Sequence, residues 1–350
     1  MAEASGNIKI NGTIATNGDL NNTNVMRRVE KISVDPEFSY KSLAIHPSDD
    51  DPELRTKYRP FILDDRTTQH DWISRLELST VTKMVQHDFS STGERLRILV
   101  LYGSLRHRSY SKLLAYETAR ILFRLGCDVR VYNPEGLPVK DDIQHSHVKV
   151  QELRDLSRWS DGHFWISPEQ HGNLTAVLKN QIDWIPLSTG SVRPTQGRTL
   201  GIAMVSGGSQ SFNTVNSLRL LGRWMRMFVI PNQSSVPKAY TQFTNELSPK
   251  EAEQGTGNPD TEGGSRFMPS DNRDRLVDCV EEFVKYTILL RPQFALFNDR
   301  YSERREDEKT KQRQSCSGYC TRCPGWFRRS READKRLDSC GRRENVNTDG

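Results

Sequence analysis

An α/β fold of three layers is predicted by two features of the sequence. From residue 96 onward, short apolar stretches alternate with amphipathic stretches of helical length, each pair spanning about 30 residues. The apolar stretches are nearly continuous, as in Ile98-Leu-Val-Leu-Tyr102, which indicates strands covered on both faces. Repeated strand–helix units connect through right-handed crossovers, so we expect a doubly wound, parallel, five-stranded sheet.

The elements of this sheet can be assigned in order along the chain. The helices between the strands should begin near Ser109, Val148, Thr175 and Ser211. A last helix has apolar residues at helical spacing up to Ile288 and should end before Pro292, because proline cannot continue a helix. The predicted strands are Leu96–Tyr102, Asp128–Tyr132, Gly162–Ser167, Leu200–Val205 and Phe228–Ile230.

Three flanking segments are predicted around this domain, which we place at residues 93–303. Residues 1–55 are rich in polar residues and should form a disordered N-terminal extension. Residues 56–92 contain apolar anchors without a sustained period, which is typical of an arm that packs on a surface of this subunit or of a neighbour. Residues 304–350 form a basic, cysteine-containing tail that we expect to be disordered.

Charge and hydropathy exclude several classes of protein. The tail holds 13 basic and 8 acidic residues, which accounts for the whole net charge of +5, so the remainder of the chain offers no electrostatic case for nucleic acid. No run of 18 apolar residues occurs, and the N-terminus lacks the pattern of a secretory signal. We therefore expect a cytoplasmic protein without a membrane segment.

The cysteines do not indicate a disulfide scaffold. Four of the six lie in the tail, where Cys316, Cys320 and Cys323 have the spacing of a radical iron–sulfur loop. With Cys340 they could offer four thiolates to zinc, but a second Cys-x2-Cys pair is missing. A disordered tail is favoured over either metal site, and no metal is predicted.

The loop after the first predicted strand has the composition of a phosphate site. Gly103-Ser-Leu-Arg-His-Arg-Ser-Tyr-Ser111 leads into a helix, whose N-terminus favours anions. Ser104, Ser109 and Ser111 add hydroxyl donors, and Arg106 adds a guanidinium fork. Neither the dinucleotide fingerprint nor the triphosphate loop is present, so the site suits one terminal phosphate, such as that of FMN. The alternative is that Ser109 only caps the helix.

Two further loops follow neighbouring strands of the predicted sheet. Ser167-Pro-Glu-Gln-His-Gly172 combines a stiff turn at Pro168 with a glycine that lets the backbone approach a flat ring. Ser206-Gly-Gly-Ser-Gln-Ser211 is rich in glycine and hydroxyls. Because the carboxyl ends of parallel strands share one edge of the sheet, all three loops should meet there.

These loops and several longer stretches form a recognisable pattern. The longer stretches are Leu-Lys-Asn-Gln-Ile-Asp-Trp-Ile-Pro-Leu (178–187), Val-Arg-Pro-Thr-Gln-Gly (192–197), Val-Ser-Gly-Gly-Ser-Gln-Ser-Phe-Asn (205–213), Leu-Gly-Arg-Trp-Met-Arg-Met (221–227), Ile-Pro-Asn-Gln-Ser-Ser-Val-Pro-Lys-Ala (230–239) and Asp299–Arg304. Over about residues 58–305 the chain resembles the ArsH family of flavoproteins, a branch of the NADPH-dependent FMN reductases. The resemblance implies a flavodoxin-like fold and the cofactors FMN and NADPH.

The resemblance also implies roles for the residues of the three loops. Arg193 is a candidate for contact with the 2′-phosphate of NADPH, with a role at a subunit contact as the equal alternative. By resemblance, the FMN phosphate would be held by Ser104, Arg106, Ser109, Tyr110 and Ser111, one side of the flavin ring would be bordered by Pro168, Glu169, His171 and Gly172, and its other side would be closed by Gly207, Gly208, Ser209 and Gln210.

Hydride transfer from NADPH to FMN is cofactor chemistry, so no catalytic side chain is assigned. We expect His171 and Glu169 to position the ring through polar contacts rather than to act as acid or base. Within the family region only Cys127 and Cys279 occur, in positions typical of apolar filler, which argues against a thiolate site for arsenic.

The resemblance implies that trivalent organoarsenicals are oxidised in arsenic resistance, by a homo-oligomer, most simply a homotetramer. Within the same flavin family, the alternative is a general quinone, azo or ferric reductase. An alternative of another class is a non-enzymatic flavodoxin-like scaffold whose tail binds zinc or nucleic acid.

Overall fold

The computed structural model describes residues 51–63, 67–68, 71–186, 194–246, 264–298 and 301–319. The chain divides into two compact units, with the boundary between Asn298 and Asp299. No helix among the described residues is long and apolar enough to cross a membrane. Of the predicted segments, residues 1–50, Arg193 and the tail after residue 319 lie outside the described ranges.

The first unit is built on a parallel sheet with the strand order β2-β1-β3-β5-β6. Two short strands extend it: β4 pairs antiparallel with the end of β3, and β7 pairs parallel with β5. The predicted doubly wound α/β fold is therefore confirmed. The strands are β1 (Arg97–Tyr102), β2 (Asp128–Val131), β3 (Gly162–Gln170), β4 (Asn173–Leu174), β5 (Thr199–Val205), β6 (Phe228–Val229) and β7 (Ser234–Val236).

Helices cover both faces of the sheet. The first-unit helices are α1 (Pro52–Tyr58), α2 (Ser79–Thr92), α3 (Tyr110–Arg124), α4 (Val148–Trp159), α5 (Ala176–Trp184), α6 (Asn213–Trp224), α7 (Asp271–Leu290) and α8 (Phe294–Asn298). Successive residues of a strand point to opposite faces, so Ile98 and Val100 of β1 join one core cluster with α2, α3 and α7. Leu99 and Leu101 join the other cluster with α4, α5 and α6. These two clusters are the interfaces of the three predicted layers.

The edge of the sheet differs from the prediction because the last strand is interrupted. β6 pairs with Thr199 and Leu200, and β7 pairs with β5 from Ala203 onward. Between them lies Pro231, which has no N–H to donate to the ladder. β7 was missed because two of its three residues are serines, although all three are buried.

The described residues of the predicted arm pack against the sheet of their own chain. Trp72 and Ile73 are buried, and α2 adds Val81 and Val85 to the core cluster that contains Ile98. We did not predict α2, because its apolar residues alternate with a polar, β-branched and hydroxyl-rich sequence of weak helix propensity.

The predicted flanking segments are described only where they adjoin the domain. Helix α1 begins at Pro52, within the last residues of the predicted extension, and its N-cap is Asp51, whose carboxylate accepts from the Glu53 amide at 2.8 Å. In the second unit, α9 (Tyr301–Tyr319) occupies the first part of the predicted tail. That part is helical, whereas disorder was expected from residue 304 onward, and the rest of the predicted tail lies outside the described ranges.

Candidate functional site

A cleft of about 790 Å³ lies at the carboxyl ends of β1, β3 and β5. Strand β1 has β2 on one side and β3 on the other, so the chain changes direction across the sheet at this place, where doubly wound sheets bind ligands. The volume is within the usual range for a cofactor site. Residues that line it are Gly103, Ser104, Leu105, Arg106, Arg108, Ser109, Tyr110, Ser111, Pro168, Glu169, Gln170, Thr175, Val177, Val205, Ser206, Gly207, Ala239 and Tyr240.

The loop after β1 presents hydroxyls at the N-terminus of α3. Ser109 is the N-cap, and its Oγ accepts from the Lys112 amide at 3.2 Å. The Oγ atoms of Ser109 and Ser111 lie 3.1 Å apart, and both side chains are at most 2% exposed. Ser104 Oγ accepts from the Arg106 amide at 3.2 Å. Ser109 therefore caps the helix, and capping places its hydroxyl beside the helix dipole, where an anion is favoured.

The loop begins at Gly103, where the backbone lies very close to atoms of β3 and of the start of α5. The Gly103 amide donates to the Ile166 carbonyl at 3.0 Å, and the Gly103 carbonyl accepts from Thr175 Oγ1 at 2.6 Å. A Cβ at Gly103 would lie 2.7 Å from Thr175 Oγ1 and 3.0 Å from Leu178 Cβ. Glycine is therefore required here by the space available, and the end of β1 is fixed against the start of α5.

Two arginines of this loop differ in what they contact. Arg106 is exposed, and within the described part of the chain its guanidinium makes no hydrogen bond or ion pair. Arg108 is engaged by protein atoms: its guanidinium donates to Ser265 Oγ and to the Thr244 carbonyl, both at 2.8 Å. Arg106 is thus available to an incoming anion, whereas Arg108 already has partners.

The loop after β3 is a two-residue hairpin turn. Gln170 pairs with Asn173, and the two residues between them, His171 and Gly172, have φ values of 53° and 73°. Positive φ at both central positions is the pattern of a tight hairpin turn, so the turn itself requires a glycine at 172. Both residues are exposed and neither lines the cleft.

Glu169, at the end of β3, contacts the loop that follows β5. Its Oε2 accepts from Ser211 Oγ at 2.8 Å and from the Thr214 amide, in the first turn of α6, at 3.3 Å. The carboxylate therefore lies at a helix N-terminus, where negative charge is stabilised. This contact fixes the distance between two walls of the cleft.

The loop after β5, Ser206–Ser211, contributes to the cleft only at its beginning. Ser206 and Gly207 line the cleft, whereas Gly208, Ser209 and Gln210 are exposed and lie outside its lining. A Cβ added to either glycine would meet no atom within 4 Å. There is therefore free space for a side chain at Gly207 and Gly208, whereas at Gly103 there is none.

Comparison with known proteins agrees with this geometry. The sequence profile of the NADPH-dependent FMN reductases matches residues 96–241. The NADPH-dependent FMN reductase ArsH of Rhizobium meliloti is 55% identical over 212 residues, covering 61% of this chain and 80% of that protein. The ArsH proteins of Acidithiobacillus ferrooxidans and Shigella flexneri are 49% and 50% identical, covering 62% and 60% of this chain and 84% and 76% of their own lengths. The chain belongs to the ArsH family of NADPH-dependent FMN reductases.

Within this ArsH-family chain, the cysteines of the domain are removed from the cleft. Cys127 and Cys279 are both fully buried in the core cluster around α3 and α7. Burial raises the pKa of the Cys279 thiol to about 12 and raises that of Cys127 as well. Since the thiolate is the form that binds soft ions, neither residue is suited to bind arsenic.

Sequence reasoning missed several residues of the ArsH-family cleft. Thr175 and Val177 come from the start of α5, and Ala239 and Tyr240 come from a 3-10 turn after β7. Tyr240 is 57% exposed, and like Leu105 it is a large hydrophobic residue exposed in the lining. The signal for it was weak, because it lies one residue beyond the 230–239 stretch and follows a strand that was not predicted.

Proposed function

We propose that this chain binds FMN in the cleft, with the phosphate at the N-terminus of α3, and oxidises NADPH as an oxidoreductase of arsenic resistance. One observation carries the proposal. Two buried serine hydroxyls, at Ser109 and Ser111, lie at a helix N-terminus and line a cleft of cofactor size together with Arg106, whose guanidinium is unengaged. This donor set suits a phosphate dianion, because every one of these groups can donate a hydrogen bond to it.

The chain's own residues then have roles in binding and orientation. Ser104, Arg106, Ser109, Tyr110 and Ser111 hold the phosphate, Pro168 and Glu169 border the ring on one side, and Gly207 borders it on the other. When bound, FMN supplies a ring that accepts a hydride from NADPH and passes electrons to an acceptor. No acid or base is required of the protein, so its tasks are to align the two rings and to exclude water.

The other residues assigned to the flavin ring do not line the cleft, so we propose a more peripheral role for them. The exposed residues outside the lining of the cleft are His171, Gly172, Gly208, Ser209 and Gln210, and we propose that they act on the part of the ring nearest to solvent. Arg193 remains a candidate for the 2′-phosphate of NADPH. A preference for NADPH over NADH is supported by the names of the ArsH relatives.

We propose that the substrate in cells is a trivalent organoarsenical. NADPH and an As(III) compound each give up two electrons, so their joint oxidation requires an acceptor of four. Dioxygen meets this balance: one oxygen atom is added to arsenic, giving As(V), and the other leaves as water. Consumption of one dioxygen per NADPH, with formation of one pentavalent product, is the expected result. If the arsenical yields no pentavalent product, and NADPH is oxidised at similar rates with quinones, azo dyes and ferric complexes as acceptors, the general reductase is favoured.

A cytoplasmic homotetramer is proposed for the assembled protein. An apolar row on α6, formed by Leu220 and Trp224 with Phe212 just before the helix, is exposed in the described part of the chain, which supports a subunit contact there. The reduced, buried cysteines of the domain are compatible with a reducing compartment. Light scattering on the eluting peak of a sizing column measures the oligomer directly.

The decisive experiment is an absorbance spectrum of the protein after incubation with FMN and desalting, followed by anaerobic addition of NADPH. We expect retained flavin whose oxidised absorbance disappears on addition of NADPH. Arg106→Ala, as the matched variant, should retain much less flavin. Folded wild-type protein that retains no flavin would contradict the proposal and would favour the scaffold with a zinc-binding or nucleic-acid-binding tail.

A further inference from the structure

Arg108 connects the loop after β1 to a separate part of the chain. Besides its hydrogen bonds to Ser265 Oγ and the Thr244 carbonyl, its Nη1 forms an ion pair with Glu246 Oε1 at 3.2 Å. The guanidinium also lies over the ring of Tyr110, 5.5 Å from the centroid. Both terminal nitrogens are thus directed at protein acceptors.

The partners of Arg108 belong to a short pair of antiparallel segments, residues 242–246 and 264–268, which we name the brace. The Thr244 amide donates to the Arg266 carbonyl at 2.9 Å, and the Met268 amide donates to the Gln242 carbonyl at 2.8 Å. Phe243 and Phe267 stack with ring centroids 4.9 Å apart. Backbone hydrogen bonds and a buried aromatic pair therefore hold the brace together.

The brace is fixed to α3 by buried contacts at two heights. Near the first turn, the Phe243 ring lies 5.9 Å from that of Tyr110. Two turns later, Arg266 pairs with the fully buried Glu117 at 2.5 Å and also with Asp71 at 2.7 Å. Because α3 carries both anchors and begins at the phosphate loop, the brace has a set position relative to that loop.

We propose that Arg108 is a positioning residue for the FMN phosphate. Its hydrogen bonds attach the exposed middle of the loop to the brace, and this attachment keeps Arg106, two residues earlier, at the cleft. The loop is then held at three places: at Gly103 by Thr175, at Ser109 by the helix cap, and between them by Arg108. Arg106 and Arg108 have the same side chain in the same loop, but only Arg106 contacts the phosphate. This inference rests on the proposed function, since it concerns the binding of FMN.

The test compares the dissociation constants of FMN and riboflavin, which differ only in the phosphate, by quenching of flavin fluorescence. Their ratio reports on the phosphate end alone. The variants are Arg108→Ala, Arg108→Lys, Ser265→Ala and the double variant Arg108→Ala/Ser265→Ala. Arg219→Ala is the matched control, because its guanidinium also clips a loop through the Ile230 carbonyl at 2.8 Å but does not line the cleft.

If Arg108 acts through the brace, Arg108→Ala should weaken FMN binding about tenfold, as expected for loss of hydrogen bonds to a charged group, with little change for riboflavin. Arg108→Lys should weaken it equally, because one ammonium cannot donate to both Ser265 Oγ and the Thr244 carbonyl in the geometry of a guanidinium. Ser265→Ala should have a smaller effect in the same direction. The double variant should bind FMN as Arg108→Ala does, because the two residues share one interaction. Arg219→Ala should leave the ratio unchanged.

The opposite pattern would overturn the inference. If Arg108 contributed only charge to the phosphate, Arg108→Lys and Ser265→Ala would both keep the wild-type ratio. If Arg108→Ala fails to fold, Ser265→Ala and Arg108→Lys still decide between the two roles. Wild-type protein that bound neither flavin would instead contradict the proposed function, and the positioning role of Arg108 would then be contradicted as well.

Discussion

The two ends of the cleft are built differently. At the phosphate end, all five residues assigned from the sequence line the cleft, and its central hydroxyls are buried and hydrogen-bonded before any ligand arrives. At the ring end, only Pro168, Glu169 and Gly207 line it, and the other assigned residues lie on exposed turns. The phosphate end is thus preformed, whereas the ring end is an open rim between loops.

This difference follows from how each end arises from the chain. The phosphate end is local: a strand end, an N-cap and a first helical turn follow one another within nine residues, so their geometry is dictated by standard backbone rules. The ring end combines loops from β3, β5 and the turn after β7, whose arrangement depends on long-range contacts such as Glu169 with Ser211. A preformed site binds with less loss of conformational entropy, so we expect the phosphate to dominate affinity.

The largest effect is expected for Arg106→Ala. Removal of the one unengaged cation of the loop should weaken FMN binding by about 10- to 100-fold, the range for lost hydrogen bonds to a charged group. Riboflavin binding should not change. Titration of both flavins measures this, and an equal loss for the two ligands would show that Arg106 acts on the ring end or on the fold instead.

The next largest effect concerns the contrast between Gly103 and Gly207. Gly103→Ala places a Cβ 2.7 Å from Thr175 Oγ1, so it should destabilise the protein by about 1–3 kcal/mol and weaken FMN binding. Gly207→Ala meets no atom within 4 Å and should leave the free energy of unfolding within about 0.5 kcal/mol of the wild type. Urea unfolding measures the free energy of unfolding of both variants. Similar losses of stability in the two variants would contradict the expected difference between Gly103 and Gly207.

A smaller effect is expected for Ser109→Ala. Loss of the N-cap should destabilise α3 by about 1 kcal/mol and also remove one phosphate donor, so stability and FMN affinity should fall together. Ser90→Ala, at an exposed serine of α2 that does not line the cleft, is the matched control and should change neither quantity measurably. FMN affinity unaffected by Ser109→Ala would show that this serine only caps the helix.

The smallest effect is expected for His171→Ala. The imidazole is exposed, lies outside the cleft lining and has its Nε2 3.1 Å from the side-chain nitrogen of Gln170. We expect FMN affinity to stay within about twofold and the rate of flavin reduction by NADPH to keep its pH profile. Loss of a titrating step from that profile would identify His171 as an acid or base.

The parts of the fold with a strong local signal were predictable from the sequence. The continuous apolar strands from Ile98 and Leu200 and the capped helix starts at Ser109 and Thr175 predicted the sheet, its parallel direction and the edge where the cleft lies. Helix α2 and strand β7 were missed because buried packing, rather than propensity, forms them.

At the site, local sequence was sufficient to place the loop after β1 at the cleft but not to identify the contacts that support this loop. Nothing near Arg108 in the sequence indicates that its partners are Ser265 and Thr244, more than 130 residues away. Tyr240 reaches the cleft only because β7 returns the chain to the edge of the sheet. Contacts of this kind depend on the assembled fold.

The most direct test of the account is the ratio of the riboflavin and FMN dissociation constants of the wild-type protein. The preformed donors at Arg106, Ser109 and Ser111 predict that FMN binds about 100-fold more tightly or better, which corresponds to about 2.7 kcal/mol from the phosphate alone. Equal binding of the two flavins by folded protein would contradict the central claim that the N-terminus of α3 is the phosphate site.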